Sequence, residues 1–361
     1  MARIALIDTN VDTAFLSNTS VEKIKLCPES SVADSHRINH GTACAIVLDR
    51  CACDFELLNI QVFKGNGRKV FTEVGLLVKA LECCLDNNVD IISLSAVSSL
   101  LSDSRYLYSV THELAKRSII ISALDNNLFV TVPTSYPHVL GVRCDFAGLL
   151  SPGEIAYCAG DPYYADVFAN CNFDYLQEYQ IKPSNSYAVP VVAAYVNVLL
   201  NKGHNKKSPK SMIQNLRPYN AAEVQNAPNK YVSQGRDVPA VLLTAYSNEM
   251  CCAMMDDLFA NHEVQSATLS MEAGYYDVRI REQTNPENIQ GDLLFMERHY
   301  KADVIFILCN QSLAGDFAKR IEVDVEIMYH GNGQSSIRYE CMQETVPLHM
   351  VPDRLHDILA T

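Results

Sequence analysis

Short apolar segments alternating with helical patterns over the first 145 residues leave this chain few folds to choose from. The segments are "RIALIDTNVD" (3–12), "FELLNIQVF" (55–63), "VDIISLSAV" (89–97), "SIIISALDNN" (118–127) and "HVLGVRC" (138–144). Their cores are near-continuously apolar rather than alternating, as in strands covered on both faces. Between them run "HGTACAIVLDRC" from His40, "FTEVGLLVKALECCLDNN" (71–88) and "YLYSVTHELAKR" (106–117). Strands alternating with helices of this length predict an α/β fold with a parallel sheet flanked by helices. In such sheets a ligand site lies off the carboxyl ends of the strands.

The chain has 361 residues, enough for two domains, and 48% hydrophobic content, enough for real cores. Residues 219–237, "YNAAEVQNAPNKYVSQGRD", are polar and read as a linker between a first domain (1–218) and a smaller α/β domain (238–361). In the latter, "VPAVLLTAY" (238–246), "VQSATLS", "ADVIFILCN" (302–310), an exposed "IEVDVEIMY" and "SIRYECMQE" read as strands. "NEMCCAMMDDLFANH", begun by Asn248, "NIQGDLLFMERHYK" (288–301) and "LAGDFAKR" read as helices. No Gly-rich phosphate loop follows "VLLTAY". Met250, Met254 and Met255 read as core rather than as an adaptable binding stripe.

No run of 18 apolar residues exists, and the N-terminus enters a strand directly, without a signal sequence or a preceding pro-segment. The thirteen cysteines are odd in number and include the neighbours Cys83–Cys84 and Cys251–Cys252. Both features predict a cytoplasmic protein with reduced thiols. Cys51 and Cys53 form a CxC with no second pair at zinc spacing, so neither a metal nor a cofactor is expected. A net charge of −13 excludes nucleic acid and an anionic membrane as expected partners and leaves a basic or neutral peptide. The oligomeric state is not legible.

Three residues converge on the expected sheet edge. Asp8 ends the first apolar run, His40 opens a helix behind an "NHGT" turn, and Ser186 stands ahead of the apolar run in "KPSNSYAVPVVAAYVNVLL" (182–200). Each has an ordinary structural role open to it: Asp8 as a polar strand end, His40 as a surface residue at a helix start, Ser186 as a helix cap. Pro190 reads as part of the first turn of that last helix. The alternative is that the three act together. A neutral serine hydroxyl needs a histidine base, and the histidine an orienting carboxylate.

These residues and their surroundings resemble the subtilases, the subtilisin family of serine peptidases, over residues 1 to about 218. "IALIDTNVD" is similar to the family's Asp block, "NHGTACAIVL" to its His block and "SNSYAVPVVAAYVNVLL" to its Ser block. "NNVDIISLSAV" is similar to its substrate-binding strand, "IIISALDNN" to the oxyanion-hole segment and "VPTSYPHVLGV" to the stretch after it. The resemblance implies Asp8 as orienter, His40 as base, Ser186 as nucleophile, the Asn126 side-chain amide as an oxyanion donor (with Asn127 as the neighbouring alternative), and Ser95, Ala96 and Val97 as substrate-binding residues. The departures are Asn10 for a glycine, Ser184-Asn185 for Gly-Thr, Tyr187 for Met, Leu124-Asp125 for Ala-Gly, and Ala96-Val97 for Leu-Gly-Gly. Val97 narrows the edge that glycine would leave to a peptide backbone, and Asp125 raises the question of where its charge points.

The implied activity is that of a dedicated serine endopeptidase cutting one peptide, such as the leader of a ribosomally made precursor. The rival is a non-catalytic, subtilase-like scaffold in a peptide-modifying complex. An unperturbed His40 would place the acid limb of activity near pH 6.5 (roughly).

Overall fold

The apolar runs form strands because their branched side chains suit a pleated surface, and they become buried because helices cover both faces. The computed structural model describes residues 1–17, 19–27, 38–63, 71–204, 209–219, 236–272, 276–283 and 286–360. Two compact units are present: Met1–Ser99 with Asp103–Gln225, and Leu100–Ser102 with Asn226–Thr361. Most of the 219–237 segment read as a linker lies outside the described residues.

In the first unit the strands are β1 (Ala2–Asp8), β2 (Val21–Lys25), β3 (Phe55–Gln61), β4 (Ile91–Leu94), β5 (Ile119–Ala123), β6 (Val139–Cys144), β7 (Ile155–Tyr157) and β8 (Val167–Ala169). They form one sheet in the order β2-β3-β1-β4-β5-β6-β8-β7. Among the described residues every strand pairing in this sheet is parallel except β7 against β8. Every residue of β4, β5 and β6 is buried, as unbroken apolar runs require.

The helices are α1 (His40–Cys51), α2 (Val74–Asp86), α3 (Ser104–Leu114), α4 (Asp174–Gln177), α5 (Asn185–Asn201) and α6 (Pro209–Ile213). The apolar α5 shares one core with α1 and the sheet, through Ala188, Val189, Val192 and Val196 against Ile4, Leu6, Ala43 and Val47. The short β2, β7, β8 and α4 were not expected. "VEKIK" in β2 is an edge strand and carries three charged residues, Glu22, Lys23 and Lys25, and β7 and β8 span only three residues each.

Pro190 is not in the first turn. It is the sixth residue of α5, so the Ser186 carbonyl lacks the N–H that a helix would normally offer it. The Cys44 thiol approaches that oxygen at 3.9 Å instead.

The second unit carries a seven-stranded sheet, β11-β10-β12-β9-β13-β14-β15. Its strands are β9 (Ala240–Thr244), β10 (Ser266–Ser270), β11 (Ile280–Glu282), β12 (Val304–Cys309), β13 (Val325–Tyr329), β14 (Gln334–Tyr339) and β15 (Met342–Pro347). The strand read as exposed, β13, lies between β9 and β14 and buries Val325 and Ile327. The helix begins at Asn248, as read, and runs to His262; its cap is Ser247, whose hydroxyl accepts from the Met250 N–H. Met254 and Met255 are buried in the core.

Candidate active site

The carboxyl ends of β1 and β5 and the first turns of α1 and α5 bring the site together. Asp8 is the last residue of β1 and fully buried. Its register partner on β3, Gln61, is buried too. The turn after Asp8 is held by Asn59, a buried polar residue inside the apolar run of β3. The Asn59 amide donates to the Thr9 carbonyl at 3.1 Å, and its oxygen accepts from the Val11 N–H at 3.0 Å. Asn10 adopts no left-handed backbone conformation, so the missing glycine is not needed there.

His40 is the first residue of α1, whose cap is Asn39; the Asn39 oxygen accepts from the Thr42 N–H at 2.8 Å. The helix start presses against the Asp8 turn: the Gly41 N–H donates to Thr9 Oγ1 at 2.7 Å, and a Cβ on Gly41 would fall 2.4 Å from the Thr9 carbonyl oxygen. Only glycine allows that approach, and it sets His40 within reach of Asp8.

Ser186 is not the cap of α5. Ser184 is, and its hydroxyl makes no cap bond but lies 2.9 Å from Ser186 Oγ. Ser186 Oγ is 2.8 Å from His40 Nε2, and His40 Nδ1 is 2.9 and 2.8 Å from the two Asp8 oxygens. A buried carboxylate on Nδ1 fixes the proton there and leaves Nε2 as the acceptor of the serine proton.

Burial pushes the His40 pKa down, but the Asp8 charge and hydrogen bond outweigh it and hold the imidazole well above its ordinary 6.5. The expected acid limb therefore moves above pH 6.5. With the neutral imidazole as the expected base, hydrolysis should rise with pH through the shifted value, and a pH–kcat/KM profile with its midpoint at or below 6.5 would contradict that role. The linked stability runs the other way: it is fully present below 6.5 and lost as pH rises through the folded-state value.

Tyr187, at the position where the sequence departs most visibly, stacks on the His40 ring with centroids 4.6 Å apart and planes at 25°. Cys44 Sγ lies 3.7 Å from His40 Nδ1, and burial raises that thiol's pKa. Asp8, His40 and Cys44 offer three ligand atoms within 4.8 Å of one another. This donor set suits zinc, but a metal at Nδ1 would displace the hydrogen bond to Asp8.

Asn126 follows β5 and is exposed. Its Oδ1 accepts from the Asn185 N–H at 2.9 Å, which turns its Nδ2 donor away from that bond. The Ser186 N–H, in the first turn of α5, has no backbone acceptor among the described residues. A helix N-terminus also favours negative charge. The Asp125 carboxylate bends back to accept from the Asn127 backbone N–H at 2.7 Å, which answers where its charge points and leaves the Asn127 side-chain amide outside that bond.

Ser95, Ala96 and Val97 follow β4 directly. Ala96 is buried, while Ser95 and Val97 are half-buried. Ser95 Oγ lies buried beside Cys44 without a well-formed hydrogen bond. The segment ends at Ser98, which exchanges two backbone hydrogen bonds of 2.9 Å with Val132.

Asn185 was named only as a departure, yet it ties the site together. It is fully buried; its Oδ1 accepts from the Cys144 N–H at 2.9 Å and its Nδ2 donates to the Asp125 carbonyl at 3.1 Å. A polar residue between the cap and an apolar helix was the available signal.

No protein-family model matches the chain, and no curated protein does. Among solved structures it is similar to the prenylagaramide maturation protease PagA, at 17% identity over 58% of this chain and 80% of that one, with a TM-score of 0.40. It is similar to a lanthipeptide protease at 17% identity, over 58% and 78% of the two chains, with a TM-score of 0.42. It is also similar to the patellamide maturation protease PatA at 15% identity, over 59% and 84%, with a TM-score of 0.37.

Proposed function

We propose that the chain is a subtilisin-like serine endopeptidase that processes a precursor peptide. The observation that carries this reading is the unbroken hydrogen-bonded line from buried Asp8 through His40 to Ser186 Oγ. In the proposed reaction Ser186 Oγ attacks a peptide carbonyl as His40 Nε2 takes its proton. The imidazolium, stabilised by Asp8, then returns that proton to the leaving amine. Water repeats the cycle to release the acyl group. The oxyanion would be met by Asn126 Nδ2 and the Ser186 N–H.

The closed form of the site supports a single peptide substrate over broad digestion. Val97 stands where the subtilases carry glycine, and the adjoining Ser98 backbone is already paired with Val132. All thirteen cysteines are free thiols, in keeping with action in a reducing cytoplasm. No helix among the described residues is long and apolar enough to cross a membrane.

A fluorophosphonate probe separates this reading from a non-catalytic scaffold, since only an activated serine is phosphonylated quickly. The expected result is one adduct, mapped to Ser186, with little hydrolysis of unfolded casein. A folded protein that takes up no probe would favour the scaffold, and rapid casein digestion would overturn the narrow specificity.

A further inference from the structure

Two buried thiols that the proposed reaction does not use meet behind the nucleophile. Cys144 ends β6, and Cys171 lies just past β8, the parallel neighbour on which Cys144 pairs with Ala169. Their sulfurs are 3.5 Å apart, with the residues 2% and 1% exposed. A disulfide is about 2.05 Å long, so joining them draws the two sulfurs together by about 1.5 Å and removes the Cys171 S–H from the Ser184 carbonyl.

Both thiol residues are bonded to the two residues that precede Ser186. The Cys144 N–H donates to Asn185 Oδ1 at 2.9 Å, and the Cys171 thiol donates to the Ser184 carbonyl at 3.5 Å. Ser184 Oγ touches Ser186 Oγ, and the Asn185 N–H holds the Asn126 amide. A movement of this pair therefore reaches the nucleophile and the oxyanion donor through single hydrogen bonds.

We propose that Cys144 and Cys171 form a peroxide-sensitive disulfide that withdraws Ser184 and Asn185 from their positions and so switches Ser186 off. The oxidant is a small hydroperoxide, whose size suits a pair closed to bulkier disulfides. The Cys171 thiolate attacks one peroxide oxygen; an S–O bond forms, the O–O bond breaks, and hydroxide leaves as water after taking a proton. The Cys144 sulfur then attacks the sulfenic acid of Cys171; the S–S bond forms, and the hydroxyl leaves as water with the Cys144 proton. Two thiols lose two electrons and two protons, and one hydrogen peroxide becomes two waters. The hydrogen bond from Cys144 lowers the Cys171 pKa against the effect of burial, while Cys144 is raised, which makes Cys171 the attacking group.

The switch rests on the endopeptidase reading, whereas the disulfide itself does not. The test treats the full chain with hydrogen peroxide and reads a non-reducing peptide map beside the rate of fluorophosphonate labelling. The wild type should give a linked Cys144–Cys171 peptide and lose labelling on the order of 10²-fold, the scale of a displacement near 1 Å, with recovery in dithiothreitol. Cys144→Ala, and Cys144→Ser should the first fold poorly, should give no linked peptide and keep most of its own labelling rate. Absence of the linkage when exposed Cys53 and Cys341 have been oxidised overturns the proposal. So does linkage without loss of labelling, or an equal loss in Cys144→Ala, which would point to Cys44. If the reduced wild type does not label at all, the endopeptidase reading fails, and the peptide map alone still decides the disulfide.

Discussion

Ser186→Ala should lower kcat on a peptide that the wild type cuts by about 10⁶-fold, the scale seen when the nucleophile of such a set is removed. The fold should survive, because the cap of α5 is Ser184 and, among the described residues, the lost hydroxyl bonds to His40 and Ser184 alone. A residual rate of roughly 10³-fold over water is expected from the oxyanion donors. The neighbouring hydroxyl sharpens the test, because Ser184 Oγ lies only 2.9 Å from Ser186 Oγ. His40 Nε2 nonetheless faces Ser186, so Ser184→Ala should cost no more than about tenfold, the scale of one neutral hydrogen bond. Steady-state kinetics on the two variants decide the assignment. Activity within tenfold of wild type in Ser186→Ala would remove Ser186 as nucleophile.

Asp8→Asn should cost about 10⁴-fold in kcat with little change in geometry. An amide can present its N–H₂ to His40 Nδ1 and so favour the tautomer with the proton on Nε2, where it cannot accept from serine. The same change removes the charge that raises the His40 pKa and leaves burial, which lowers it. Two readouts should therefore move together. The rate falls, and the imidazole titration, followed by NMR of labelled histidine, shifts from above 6.5 to near or below it. A rate loss with an unmoved titration would mean that Asp8 supports the turn through the Thr9 N–H, which it accepts at 2.7 Å, without acting on the base.

The sequence by itself determined the parallel sheet, since unbroken runs such as "IIISA" and "VLGVRC" have no other way to bury both faces. It also placed Asp8 at a strand end and His40 at a helix start, because these are local features set by residues a few positions apart, whereas the start of α5 fell two residues ahead of Ser186, at the Ser184 cap. The edge strand β2 and the three-residue β7 and β8 were hidden, as pairs this short gain their stability from neighbours rather than from their own pattern.

Only the tertiary structure decided that the three residues meet. His40 and Ser186 are 146 positions apart, and their 2.8 Å contact depends on Gly41 lying against Thr9 and on α5 packing under the sheet. The same holds for Asn185, Tyr187 and the Cys144–Cys171 pair, whose importance lies in partners from distant segments: Asn126, His40 and each other. Local propensity cannot encode such partners, because each hydrogen bond or ring contact is fixed by the arrangement of several elements at once. The sequence placed candidate residue types at strand and helix ends, and long-range packing chose which of them touch.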